Sequence, residues 1–151
     1  IHCRRFLLLG TGLGSALQIL QRKHHIFPES VLVDIDQDIL NLSIEYMQLN
    51  SKKNVTWLLS DAKIYMQQNT DTFDLIGVDI FRDTLIPKDY KQASFFELCK
   101  NKLNPGGHCI FNMILNSRNE RLIIRERLQQ HFTSINEIQF KVNTFFVCSN
   151  P

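Results

Sequence analysis

The chain has 151 residues, 44% of them apolar and 21% charged, with a formal net charge of +2. That length can bury a hydrophobic core without disulfides or metal as staples, and the ordinary composition excludes a disordered segment. The basic residues are scattered (Arg4, Arg5, Arg22, Lys23, Lys52, Lys53, then Arg118 to Arg127 interleaved with Glu120 and Glu126). Such a pattern describes a solvated surface and argues against a nucleic-acid partner.

Short apolar runs alternate with amphipathic ones. Phe6 to Leu9 reads as a strand running into Gly10-Thr11-Gly12-Leu13-Gly14-Ser15, a turn with glycine at every second position, and Ala16 to Lys23 continues it as a helix. Glycine accepts positive φ and leaves room for a ligand, while the helix behind it offers unpaired N–H groups and the positive end of its dipole. The spacing is GxGxG; Ser15 stands where the dinucleotide fingerprint has its last glycine, which disfavours NAD. Val31 to Ile35 is the second strand, and Gln37 to Leu49 a helix with Leu40, Ile44 and Met47 at helical spacing and Asp36 as its cap. Val55 to Leu59 and Phe73 to Val78 are strands separated by a short helix, Ala62 to Gln68. Gln92 to Leu103 is a helix that turns Phe95, Phe96, Leu98 and Cys99 inward and stops at Asn104-Pro105-Gly106-Gly107. Cys109 to Leu115 is a strand and Arg118 to Phe132 the last helix. Ile138 and Phe140 alternate with Glu137 and Gln139, and Phe145 to Cys148 follows a polar turn, which reads as an antiparallel hairpin.

This order predicts an α/β fold: a doubly wound, mostly parallel seven-stranded sheet with an antiparallel C-terminal hairpin strand, Rossmann-like, with helices on both faces. One domain over residues 1–151 is expected, and because Ile1 leads so quickly into a core strand, an upstream N-terminal region outside this numbering is expected too. Cys3, Cys99, Cys109 and Cys148 form no CxxC pair, and no histidine stands at zinc-ligand spacing, so buried thiols and no metal are expected. No apolar run approaches the ~20 residues that span a bilayer. A cytoplasmic location follows, with neither signal peptide nor anchor.

Ligands of such sheets bind beyond the carboxyl ends of the strands, and acids gather there. Asp34 ends the second strand, Asp61 follows the third, and Asp79 follows the fourth. Asp34 lies 24 positions after Gly10, near the distance at which a carboxylate meets ribose hydroxyls. Asp61 is either the cap of the helix behind it or a nucleotide contact. Asp74, at the start of a strand, reads as solvated, and His24, His25 and His108 are assigned no role. Tyr90 and Phe81 read as core residues ahead of an acceptor pocket.

Strand-Gly10-x-Gly12-x-Gly14, Val33-Asp34-Ile35-Asp36, Ser60-Asp61-Ala62, Phe73-Asp74 to Val78-Asp79 and Leu103-Asn104-Pro105-Gly106-Gly107, in that order, resemble the class I S-adenosylmethionine-dependent methyltransferase superfamily. Within it the chain is most similar to the spermidine-synthase-like branch, which the apolar Leu9 before the first glycine suits. The resemblance implies a transferase using S-adenosylmethionine or decarboxylated S-adenosylmethionine. It places Gly10, Gly12 and Gly14 beside the amino acid or aminopropyl tail, Asp34 on the ribose, Asp61 on the adenine amino group, and Ile35 and Ala62 on either side of the ring. Asp79 is the candidate catalytic residue, as a base or as an acceptor for the incoming nucleophile. The implied partner is a small-molecule acceptor, not nucleic acid or a membrane, and a homodimer is compatible with this.

Polyamine synthases of the branch carry a second acid in an Asp-Ser/Thr-x-Asp-Pro arrangement. Here the run is Asp79-Ile80-Phe81-Arg82-Asp83-Thr84-Leu85-Ile86-Pro87, with the acid displaced to Asp83 beside Arg82. From Asp79 to Lys91, acids at 79, 83 and 89 balance bases at 82, 88 and 91, so the loop does not concentrate a polycation. Methyl transfer is therefore placed ahead of aminopropyl transfer. No Asn/Asp-Pro-Pro-Tyr/Phe motif and no cysteine follows the fourth strand, which disfavours methylation of nucleic-acid bases. The reading from another class is a nucleoside-binding regulatory or interaction module without catalysis.

Overall fold

A computed structural model describes residues 3–47, 54–82 and 85–149; Ile1, Leu49, Lys52, Lys53, Asp83 and Thr84, named above, lie outside them. The strands are β1 (Arg5–Leu9), β2 (Glu29–Asp34), β3 (Val55–Leu59), β4 (Phe73–Val78), β5 (Leu103–Ile114), β6 (Ser134–Phe140) and β7 (Asn143–Ser149). They form one sheet in the order β3-β2-β1-β4-β5-β7-β6. β1 to β5 pair in parallel, and β7 runs antiparallel between β5 and β6. The helices are α1 (Ser15–Arg22), α2 (Gln37–Met47), α3 (Ala62–Gln68), α4 (Ala93–Asn101) and α5 (Arg118–Gln129), with a 3-10 turn at Lys88–Lys91.

β1 is apolar throughout because both of its faces are covered. Phe6 and Leu8 pack with Leu17 of α1 and Leu32 of β2. Leu7 and Leu9 join the larger core, where Met66 of α3, Phe95, Phe96 and Cys99 of α4, and Ile124 and Leu128 of α5 meet Phe111 and Phe146. Right-handed crossovers place α2 on the α1 face, so two helices lie on one side of the sheet and three on the other. The winding reverses between β1 and β4, whose carboxyl ends therefore open a crevice.

Two expectations need correction. β5 begins at Leu103, so the Asn104-Pro105-Gly106-Gly107 segment belongs to the strand as a bulge: its pairing with β4 jumps from Phe73↔Leu103 to Leu75↔His108. Gly107 is required there, since a Cβ would lie 2.9 Å from the Asn104 carbonyl oxygen and 3.1 Å from that of Asp74. Asp74 is not merely solvated. Its carboxylate accepts the N–H groups of Arg4 (2.7 Å) and Arg5 (2.9 Å) and the Asn104 amide (2.7 Å), tying the start of β1 to the bulge.

All four cysteines are buried and free. Among the described residues no helix is long and apolar enough to cross a membrane, and no cluster of three or more His, Cys, Asp or Glu could hold a metal ion.

Candidate functional site

The crevice is a cleft of 770 Å³ lined by Gly10 and Gly12, by Asp34, Ile35 and Asp36 after β2, by Asp61, Ala62 and Lys63 at the head of α3, and by Asp79 to Arg82 and Pro87 to Tyr90. Gly14 is not on this lining. It sits at φ 74° as the residue before α1, which begins with no side-chain cap. The first N–H groups of α1 thus have no side chain in front of them.

The glycine positions do different work. Gly10 (φ +82°) is a packing requirement, because a Cβ there would come within 2.2 Å of the Asp79 carbonyl oxygen. Parallel pairing reaches this point, with Asp79 N–H bonded to the Leu9 carbonyl and Gly10 N–H to that of Val33. Gly12 (φ +48°) has no atom within 4 Å of where a Cβ would be. That open space on the lining is what a ligand tail needs.

Asp34 finds the partners that a carboxylate at the end of a buried strand requires: Oδ2 accepts the Thr11 N–H (2.8 Å) and Oδ1 the Asp36 N–H (3.1 Å). It therefore holds the glycine turn in place while facing the cleft. Asp36 is the helix cap, with Oδ1 accepting from the N–H groups of Asp38 and Ile39. Ile35, 63% exposed, projects apolar surface onto the lining, and the buried Ala62 also lines the cleft.

Asp61 is the cap of α3, and its second oxygen is held by Tyr90 on the cleft lining. Oδ1 caps α3 by accepting the N–H groups of Lys63 (2.9 Å) and Ile64 (3.0 Å), and Oδ2 accepts the Tyr90 hydroxyl at 2.7 Å. Burial pushes this carboxyl up, but the Tyr90 hydroxyl, the two N–H groups and the Lys63 charge outweigh it and hold Asp61 below the usual carboxylate range. Tyr90 is both core and lining: it is buried, stacks edge-on against Phe95, and its hydroxyl reaches the cleft. Phe81 likewise packs on the core and lines the cleft.

Asp79 lies on the lining next to Gly10, and its Oδ1 accepts the Asn112 amide at 2.8 Å. Surrounding protein desolvates the carboxyl and raises its pKa, more than the Asn112 bond lowers it. Asn112 escaped the sequence reading. The signal was one polar residue in the apolar run Ile110-Phe111-Asn112-Met113-Ile114, at the same end of the sheet as the acids.

The segment from Asp79 to Lys91 balances its own charges, but the cleft does not. Asp34, Asp36 and Asp61 come from other elements, so on the lining carboxylates outnumber Lys63, Arg82 and Lys88. Lys63 is already paired with Asp89 at 3.3 Å.

A model of the spermine/spermidine synthase domain matches residues 2–149. A probable polyamine aminopropyl transferase of Bifidobacterium longum is 32% identical over 109 residues, which is 71% of this chain and 23% of that protein. The polyamine aminopropyltransferase of Hamiltonella defensa is 26% identical over 151 residues, 95% of this chain and 51% of that protein. The chain thus spans about half the length, or less, of these curated relatives. Among solved structures, human methyltransferase-like protein 13 in complex with SAH superposes with a TM-score of 0.83 at 20% identity, over 97% of this chain and 71% of that one. A probable spermidine synthase from Corynebacterium glutamicum superposes with a TM-score of 0.85 at 21% identity, over 97% and 56%. Both share the fold.

Proposed function

The chain belongs to the spermine/spermidine synthase domain family, in the spermidine-synthase-like branch of the class I S-adenosylmethionine methyltransferase superfamily, and we propose that it is a transferase moving an aminopropyl group from decarboxylated S-adenosylmethionine to a small amine. The observation that carries this is the Asp79 carboxylate on the cleft lining beside Gly10, with no cation on the glycine turn. A carboxylate there attracts an aminopropyl ammonium and an incoming amine, and repels the carboxylate of an intact methionine tail. The acid excess along the lining supports the same substrate class, and so do the aminopropyl transferases among the relatives. Aminopropyl transfer thereby moves ahead of methyl transfer, which the neutral charge of one loop had favoured.

The residues fit the cofactor. The open space at Gly12 and the uncapped start of α1 would receive the tail, Asp34 would hold the ribose, Asp61 the adenine amino group, and Ile35 and Ala62 would flank the ring. When bound, the cofactor supplies an electrophilic carbon on a sulfonium. The chain's part is to orient and to move a proton. The acceptor must approach as a free amine held in line, and Asp79 is placed to take its proton. A raised pKa suits a carboxylate to that task better than an unperturbed one.

Methyl transfer is the second reading, and Arg82 favours it. This cation lines the cleft and is suited to a methionine carboxylate. Thermal shift with S-adenosylmethionine, its decarboxylated form, methylthioadenosine and NAD separates the readings. Ligand at 100 times its Kd stabilises by about 2.7 kcal/mol. We expect the decarboxylated form and methylthioadenosine to stabilise the protein more than S-adenosylmethionine does. Stabilisation by S-adenosylmethionine alone would select methyl transfer, and by NAD alone would reject the cofactor class.

A further inference from the structure

We propose that Asn112 is a positioning residue for the Asp79 carboxylate, and that Asn143 holds Asn112 in the orientation this requires. The inference rests on the reading of Asp79 as the proton acceptor. A line of side chains crosses three strands at one end of the sheet: Asn143 Nδ2 donates to Asn112 Oδ1 at 2.7 Å, and Asn112 Nδ2 donates to Asp79 Oδ1 at 2.8 Å. The sheet register builds it. Asp79 follows Val78, the partner of Phe111, and so lies level with Asn112; on the other side β7 places Phe145 opposite Asn112 and Asn143 opposite Ile114. The two asparagines sit among Ile110, Ile114, Phe145 and Val147 on a face whose other pair, His108 and Ser149, lies at the far end of the strands.

The line has a direction. An ionised carboxylate only accepts, so it must meet the amide NH₂ of Asn112, which leaves Asn112 Oδ1 to accept from Asn143. Turning the Asn112 amide over would set oxygen against oxygen at Asp79 and nitrogen against nitrogen at Asn143. The carboxylate therefore sets the orientation of the Asn112 amide, and the bond from Asn143 holds it there. The consequence for Asp79 is that Oδ1 is committed to Asn112, while Oδ2 has no hydrogen-bond partner among the described residues. Fixing one oxygen fixes the direction of the other, and an acceptor amine meets one oriented lone pair in place of a rotating carboxylate. Attack of the amine on the aminopropyl carbon would form a C–N bond and break the C–S bond, its electron pair going to sulfur and methylthioadenosine leaving, while the amine proton goes to Oδ2.

The test compares Asn112→Ala, Asn143→Ala and Asp79→Asn in the full chain by two readouts. One is an NMR titration of the Asp79 side-chain carboxyl; the other is the pH dependence of kcat and KM with decarboxylated S-adenosylmethionine and putrescine. The other charged groups facing this cleft are Asp34 and Asp36 after β2, Asp61 and Lys63 at α3, and Arg82, Lys88 and Asp89 on the segment after β4. None is changed, so a shift reads the asparagines. In Asn112→Ala the Asp79 carboxyl should titrate at higher pH than in the parent, with the acid limb of kcat moving the same way. kcat should fall about tenfold, part of the hundredfold or more that a positioned base supplies, with KM for the cofactor unchanged. Asn143→Ala should move both readouts in the same direction by less; it does not touch Asp79, and it carries the comparison alone if Asn112→Ala fails to fold. An unshifted titration, or a shifted titration with parental kcat while Asp79→Asn is inactive, would overturn the positioning role. Full activity of Asp79→Asn would instead reject the base reading, and the titration would still report on Asn112.

Discussion

The Tyr90 hydroxyl donates a 2.7 Å hydrogen bond to Asp61 Oδ2, while Asp61 Oδ1 accepts the first free N–H groups of α3. Both oxygens are thus fixed before any ligand arrives, leaving a preset lone pair on the lining. Tyr90→Phe removes one side of that arrangement without a cavity. We expect it to fold, with a loss of about 1–2 kcal/mol in stability, and to bind methylthioadenosine about tenfold more weakly, since a hydrogen bond to a charged group is worth ~1.5–3 kcal/mol. Calorimetric titration checks this, and an unchanged Kd would detach Asp61 from the adenine.

Gly10 and Gly12 should respond differently to alanine. At Gly10 the Cβ would overlap the Asp79 carbonyl, so Gly10→Ala must push β1 and β4 apart and is expected to cost roughly 3 kcal/mol or more in denaturant unfolding. At Gly12 the Cβ enters open space and only the positive φ is strained, at about 1–2 kcal/mol. Gly12→Ala should therefore fold and lose cofactor affinity. Equal stability of the two variants would contradict this division.

Asp34→Ala removes the acceptor for Thr11 N–H and Asp36 N–H and the proposed ribose contact together. The fold should persist with a loss of about 1–3 kcal/mol, and methylthioadenosine affinity should fall more than in Tyr90→Phe. Asp34→Asn, which keeps one acceptor oxygen, should recover part of the stability. Parental affinity in Asp34→Ala would take Asp34 out of the site.

Much of this was legible in sequence, for a physical reason. Apolar runs such as Phe6 to Leu9 and Phe73 to Val78 end abruptly at glycine or acid, and in a parallel sheet all of those ends lie on one edge; Gly10, Asp34, Asp61 and Asp79 could be placed together from that alone. What stayed hidden depends on pairing across long separations. Asp74 is occupied by N–H groups of Arg4 and Arg5, and Asp79 by Asn112; the lone polar residue in an apolar run marks Asn112, but no local pattern names the partner in either contact. Loop charge did not measure cleft charge for the same reason: further acids on the lining come from the ends of β2 and β3 and the head of α3, outside the loop.

Acid should weaken the fold through particular carboxylates. Asp61 and Asp74 are held below the usual range by donated hydrogen bonds that outweigh burial, and Glu120 chiefly by its bond from Lys91. Their folded pKa values lie below the unfolded ones, so this stabilisation is present at neutral pH and is lost as pH falls from about 5 toward 2. Asp79 has the opposite sign: raised by burial, it costs stability while ionised and stops doing so once protonated. Urea midpoints measured across this range should fall with acid, and the fall should be shallower in Asp74→Asn. An identical slope in that variant would exclude Asp74 from the acid response.

The reaction proposed for this cleft moves an aminopropyl group onto an amine. The direct measurement incubates the protein and putrescine with decarboxylated S-adenosylmethionine labelled in its aminopropyl chain, and in parallel with S-adenosylmethionine labelled in its methyl group, and identifies the labelled product by mass spectrometry. Label should pass from the aminopropyl chain to the amine, with methylthioadenosine as coproduct, and the transfer should be lost in Asp79→Asn. Label passing only from the methyl group, with the decarboxylated cofactor left intact, would reject aminopropyl transfer.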